Sequence, residues 1–341
     1  MGRPLAKGSR RSSAEGAADW LRDLLAPRTA GMTEATPRAS WPAIALIAGL
    51  LALLVVARYR WGFLEHKRWQ GIHILIGWIA VAGVLVAFHG WHILRLSRRT
   101  WTVLGVAAGV ALVFWYFGRS DTYRDLFGSP PPEYASLWPL VPFAFFAGCA
   151  VLMRLVTPFV VMRTAFGERP SALGLPVRTR PPFPPAVRGI GWIYLALFGA
   201  IFPFIVLASQ GVAFQHKYPM AREIIDPDGG MWIVHLLVYE ALYALIFVSG
   251  ESFWRGFIAF GLERQLGLYG LCFMLVPYVT GHFGKPFAEA LGAIAAGLLL
   301  GFLALKHRSV WFGVALHYGV ALSMDILSIG QNGFAIHWGR P

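Results

Sequence analysis

Charge is scarce in this chain. Only 14% of its 341 residues are Asp, Glu, Lys or Arg, against 57% hydrophobic residues, whereas a soluble domain carries roughly 25% charged residues. That deficit excludes an ordinary soluble domain. Cysteine is scarcer still. Cys149 and Cys272 both sit inside apolar segments, so they read as small packing residues rather than as a disulfide or a metal site. Acids are few, 17 against 30 Lys and Arg, for a net charge of +13. Such a balance first suggests nucleic acid, but the positives fall mostly between apolar runs. Cytoplasmic anchoring and anionic membrane lipids account for them there, and no nucleic-acid partner is expected. No apolar run follows the first basic residues as in a signal peptide, so the first span is expected to act as the targeting signal. Internal repeats of solenoid or transporter type are missing, and so is the short alternation of barrel strands.

What the chain does have is a series of apolar runs approaching or reaching the ~20 residues of a spanning helix; its mean hydropathy is +0.57. The expected fold is all-α, a polytopic transmembrane helix bundle of about eight to nine spans. They are placed near Trp41–Ala57, Gly71–Phe88, Trp101–Phe117, Leu137–Val156, Ile190–Ala208, Met231–Leu262, Gly267–Phe283, Phe287–Leu305 and Val310–Ile329. The sixth is too long to lie straight, and Gly250 and Gly256 are natural places for a bend. The expected organisation is a basic cytoplasmic arm over 1–40, an accessory transmembrane half over 41–188, and a site-bearing half over 189–341. The accessory half ends in the extended linker Pro181-Pro182-Phe183-Pro184-Pro185. Lys and Arg counts put the N-terminus in the cytoplasm and the C-terminus outside, with loop 58–70 a poor fit. The expected location is a cell membrane, crossed several times. A composition rich in Ala, Arg, Gly and Trp and poor in Lys leans towards a bacterial inner membrane.

Ionisable side chains in hydrocarbon are costly and are functional candidates by default. Three polar islands stand out in the last third: Gly250-Glu251-Ser252-Phe253-Trp254-Arg255-Gly256, Tyr278-Val279-Thr280-Gly281-His282, and His317 within the last span. Glu251 and Arg255 are four apart, so they face each other on a helix. A buried structural ion pair has the same spacing. His282 ends an apolar span at a glycine break. A lone intramembrane histidine is usually a packing residue, but two, with a glutamate, on three successive helices point to a site. The set Glu251, His282 and His317 suits a divalent metal such as zinc with one position left for water. It equally suits a metal-free site in which a Glu–His pair activates water and the other His steadies the oxyanion.

These residues resemble the motifs of the CAAX-protease and bacteriocin-processing family of intramembrane endopeptidases, also called type II CAAX prenyl endopeptidase-like or Abi proteins. Glu251-Ser252-Phe253-Trp254-Arg255-Gly256 is similar to the second Glu, the Arg and the trailing Gly of its Glu-Glu-x-x-x-Arg motif. Tyr278 and His282 resemble its Phe-x-x-x-His motif, and His317 the first position of its His-x-x-x-Asn/Asp motif. The resemblance covers residues 231–329. It implies a membrane metalloendopeptidase-like hydrolase with Glu251, Arg255, His282 and His317 as catalytic residues, and membrane-associated or lipidated peptides as substrates. Two positions depart. The first Glu of the pair, which the family uses in activating water, is Gly250 here, and the third motif ends at Ala321. Glu289, in the first turn of its helix and the acid nearest His282, is one candidate support; its plainer role is to complement the helix dipole. Asp325 is another, but eight residues past His317 it stands about 12 Å along the axis, poor geometry for sharing one water.

The leading expectation is therefore an intramembrane endopeptidase in which Glu251 is base or ligand, paired with His282, Arg255 fixes Glu251, and His317 holds the water, the metal or the oxyanion. A catalytically inactive membrane scaffold or chaperone on the same fold is the alternative, favoured by Gly250 and Ala321. A proton-coupled or small-molecule transporter using buried Glu and His is a second. A level mismatch also stands out: His282 at a span end would lie above His317 unless its helix is broken or re-entrant.

Overall fold

The computed structural model describes residues 36–66, 69–128, 138–175 and 190–339. The arm before residue 36, Pro130–Pro132 and the linker Pro181–Pro185 lie outside the described residues.

The apolar runs form the helices that their length demands. Helix α1 spans Trp41–Arg60, α2 Gln70–His89, α3 Arg98–Phe117, α4 Trp138–Phe166 and α5 Ile190–Ser209. Helix α6 spans Ile233–Leu266, α7 Tyr269–Thr280, α8 Phe287–His307 and α9 Trp311–Asn332. Eight of these are long and apolar enough to cross a membrane. Helix α7 has only 12 residues, about 18 Å of rise against a hydrocarbon core of about 30 Å. It tolerates that length because every one of its residues is buried, packed by α1, α2, α6 and α8. A helix shielded from lipid has no hydrophobic thickness to match.

The turns sort into two faces. On one, Thr36 bonds the Arg264 carbonyl, Ser40 N–H bonds the Tyr269 hydroxyl, Ser97 N–H bonds Gln265, and the Trp311 indole bonds the Leu175 carbonyl. On the other, the Tyr59 hydroxyl bonds the Lys285 carbonyl at 2.6 Å, Tyr218 bonds Glu289, and Arg124 pairs with Glu223. Nine alternating passes satisfy both sets, so α7 counts as a crossing. A short parallel pair, β1 Gly230–Trp232 with β2 Ala335–His337, closes the second face.

Two helices depart from regular α geometry, each for a local reason. Helix α4 continues past the expected end at Val156. Its interior Pro158 has no N–H for the Arg154 carbonyl and crowds it, and the helix widens into a π turn over Leu152–Val156. Pro142 sits in the first α-helical turn, where proline is tolerated. Helix α6 has a π stretch over Ser252–Ala259, between the two glycines that marked a bend. Such stretches recur at functional sites. From Ser249 to Glu263 all residues of α6 but Trp254 are buried, so α6 is the central pillar. Helices α1 to α3 join its lower half, α7 and α8 in one hydrophobic cluster.

Candidate active site

Glu251 stands at the last α-helical position of α6 before the π stretch and is 1% exposed. Its Oε1 accepts a hydrogen bond from Arg255 Nη1 at 2.6 Å, as the spacing of four predicts. The same oxygen accepts from His317 Nδ1 on α9 at 2.9 Å. A carboxylate only accepts, so Nδ1 carries the proton and Nε2 keeps its lone pair. Arg255, fully buried, lies 4.3 Å below the Tyr278 ring of α7. This cation–π contact ties the ion pair to the helix that precedes His282.

His282 follows α7 in the turn Gly281–Lys285. Its Nδ1 bonds the Tyr278 carbonyl at 2.8 Å, which makes Nδ1 the donor and again leaves Nε2 as acceptor. The His282 and His317 rings lie parallel within 7°, with centroids 6.4 Å apart. The level mismatch expected between the two histidines is absent, and the reason is the shortness of α7. The helix ends at Thr280 after 12 residues, and the turn that follows brings His282 beside His317 in the early turns of α9.

Helix α9 comes very close to the carboxylate. A Cβ on Gly313 would lie 2.7 Å from Glu251 Oε2, an oxygen that is buried without a partner of its own among the described residues. Gly313→Ala is expected to push Glu251 off His317, costing about 1–3 kcal/mol of stability and lowering turnover more than the loss of folded protein explains. Thermal unfolding and turnover measured on the same preparation check this.

The site opens into a cavity of about 280 Å³ lined by Gly250, Glu251, Trp254, Tyr278, His282 and His317, many times the room one water needs. It reaches the second face, where Arg119, Asp121, Arg124, Lys217, Glu223 and Lys285 surround the mouth. The Trp254 indole also lines it, and its Nε1 bonds no other described residue.

Of the residues singled out in the sequence, Glu251, Arg255, His282 and His317 come together. The pairing differs from expectation in one respect: Glu251 bonds His317 rather than His282. Glu289 stands back from the cavity wall, its two oxygens held by Lys285 Nζ at 2.6 Å and the Tyr218 hydroxyl at 2.5 Å; it braces the turn that carries His282. Asp325 accepts from the Tyr239 hydroxyl at 2.6 Å and is not among the cavity residues. Its eight-residue offset from His317 leaves it with a different neighbourhood. Ala321 packs in an apolar cluster with Tyr239, Tyr243 and Phe247.

Glu251, His282 and His317 do not fit a metal as a three-ligand set. Glu251 Oε1 is committed to Arg255 and to the protonated Nδ1 of His317, and Oε2 is packed against Gly313 of α9. Among the described residues no group of three His, Cys, Asp or Glu side chains is arranged to hold a metal ion.

Two contributors went unread in the sequence. Tyr278 was noted only as a motif position, yet it covers Arg255 and holds His282. Arg154, on the π turn of α4, lines the cavity. Its signal was present: one arginine inside the apolar run Leu152-Met153-Arg154-Leu155-Val156.

Residues 231–323 match the family model described as type II CAAX prenyl endopeptidase Rce1-like. No curated protein and no solved structure matches the chain. The matched residues run from β1 through α8 into α9 and include all four converging side chains. The segment that carries Glu251, Arg255, His282 and His317 thus belongs to the CAAX-protease and bacteriocin-processing family, a family of membrane endopeptidases.

Proposed function

We propose that this chain is an intramembrane endopeptidase that hydrolyses peptide bonds of membrane-associated substrates with a water activated by histidine. The observation that carries the reading is the convergence of Glu251, His317 and His282, from three elements, on one cavity wall inside the bundle. Glu251 holds His317 in the tautomer with Nε2 free and stabilises the imidazolium formed when Nε2 takes a proton from water. Arg255 keeps Glu251 ionised and fixed. His282 Nε2 is a second acceptor, so one water bonded to both imidazoles would present its oxygen lone pair to a scissile carbonyl. The unpaired Trp254 N–H is available to the tetrahedral oxygen. His317 then returns its proton to the leaving amine.

The route needs no metal, and the lack, among the described residues, of three side chains arranged to hold one supports that choice over a zinc-bound water. Dialysis against 1,10-phenanthroline is expected to leave turnover unchanged; complete loss, restored by zinc, would refute the metal-free route. The cavity mouth lies on the face opposite residues 36–40, so substrates would enter from that face. A bacterial inner membrane is the setting we infer from composition.

Purified protein in proteoliposomes, offered a library of fluorescence-quenched peptides, tests the reading. Cleavage at defined bonds by wild type and not by Glu251→Gln is expected; identical behaviour of the two would sink it. The scaffold reading draws on Gly250 and Ala321, which remove two polar groups the family motif carries. It predicts peptide binding without cleavage in both proteins.

A further inference from the structure

Among the described residues, Arg154 is a charge without a counter-charge. It sits on the π turn of α4 and is 8% exposed. The Phe114 ring lies 4.5 Å from its guanidinium carbon. Its one hydrogen bond to a described residue is a long 3.4 Å contact from Nη2 to the Ile246 carbonyl, and its Nε has no partner among them. No carboxylate among the described residues pairs with it. Arginine does not shed its proton to relieve burial, and an uncompensated buried charge is strongly destabilising. Methionine or leucine would fill the same space without that cost. The guanidinium lines the cavity, so the missing anion can come from outside the chain.

Gly250 leaves the room for it. A Cβ at Gly250 would lie 3.7 Å from Arg154 Nη1 and 3.7 Å from Trp254 Nε1, both ordinary contact distances. The glycine therefore leaves open space beside two N–H donors, next in sequence to Glu251. The two donors are at most twice that 3.7 Å apart, which is the reach of about two residues of extended chain.

We propose that Arg154 binds a carboxylate of the substrate, seated in the space that Gly250 leaves, within about two residues of the scissile bond. The proposal rests on the hydrolase reading above. The carboxylate belongs to a free C-terminus or to an Asp or Glu side chain beside the cut. A planar guanidinium matches a planar carboxylate with two parallel N–H groups. The mouth points the same way. Arg119, Arg124, Lys217 and Lys285 ring it with Asp121 and Glu223. Lys217, at the end of the short helix Val212–Lys217, is held below its ordinary ammonium value by burial and then by its neighbours Lys285 and Arg119. An approaching anion relieves that crowding.

The test uses one peptide sequence in three forms: with a free C-terminus within two residues of the cut, with that terminus amidated, and amidated with an Asp beside the cut. Cleavage gives kcat and KM, and fluorescence anisotropy of the labelled peptides on detergent-solubilised protein gives binding without turnover. Wild type is expected to favour one carboxylate form over the neutral amide by about ten- to a hundredfold in KM, and which form wins names the source. Arg154→Gln brings the ratio near one, and Arg154→Lys keeps part of it. Gly250→Glu supplies the carboxylate in cis and also erases the preference. No preference in wild type, or equal losses on all three peptides in Arg154→Gln, overturns the proposal. A carboxylate preference in anisotropy without cleavage leaves the subsite standing and removes the hydrolase reading; cleavage without preference does the reverse.

Discussion

Glu251→Gln is expected to lower peptide hydrolysis by about a thousandfold or more while the protein still inserts and folds. The amide keeps the shape of the carboxylate, and its oxygen can still accept from Arg255 and His317. What it lacks is the charge that stabilises a protonated His317, the role an orienting carboxylate plays beside any histidine base, where its loss costs about 10⁴-fold. A second consequence is structural. Arg255 is fully buried, and removing one partner of a buried ion pair costs about 3–5 kcal/mol, so thermal unfolding should move down as well. The double variant Glu251→Gln with Arg255→Met separates the two effects. Removing both charges relieves the uncompensated guanidinium, so stability returns towards wild type, but hydrolysis does not. If activity came back with stability, Glu251 and Arg255 would be a structural pair and the hydrolase reading would lose the carboxylate that supports its base, His317. Single-turnover cleavage and thermal unfolding on the same detergent-solubilised samples decide the matter.

The spans were legible because lipid permits so little else. A backbone that must bond itself in hydrocarbon becomes a helix wherever the apolar run is long enough, and Trp41, Gln70 and Trp311 start helices close to where hydropathy rises. Helix α4 runs on past the expected end at Val156, because a π turn absorbs Pro158. The convergence of Glu251, Arg255, His282 and His317 could be read from the cost of their burial. Their pairing could not, since it depends on how high His282 sits, which the packing of α7 sets rather than its own sequence. Asp325 and Glu289 show the converse. Their types suit the chemistry, but nearer hydroxyl and ammonium groups, Tyr239 for one and Tyr218 with Lys285 for the other, already hold them. Arg154 was overlooked because it belongs to no motif. Only the fold brings it beside Gly250.

His282→Ala is the second large loss, about 10²–10⁴-fold if the imidazole is a proton acceptor for the attacking water. The loss alone does not separate a chemical role from a cavity left beside Tyr278, but the pH profile does. His282 lies outside the spans, in the turn before α8. Burial first, then the Lys285 ammonium, hold its imidazole below the ordinary value, while Glu289 and the Tyr278 carbonyl act in the opposite direction and the neighbouring His317 adds slightly to the lowering. The acceptor is the neutral form, present above the pKa and lost as pH falls through it. Lys285→Met removes a cation and frees the Glu289 charge, so the pKa rises and the acid limb of kcat/KM moves to higher pH. Glu289→Gln removes an anion, so the pKa falls and any limb set by His282 moves to lower pH. Opposite shifts from two variants on one turn are hard to obtain from misfolding, which lowers the whole profile without moving it. A limb that stays in place in both variants would mean that His282 does not exchange a proton during the cycle, and the water would then rest on His317 alone.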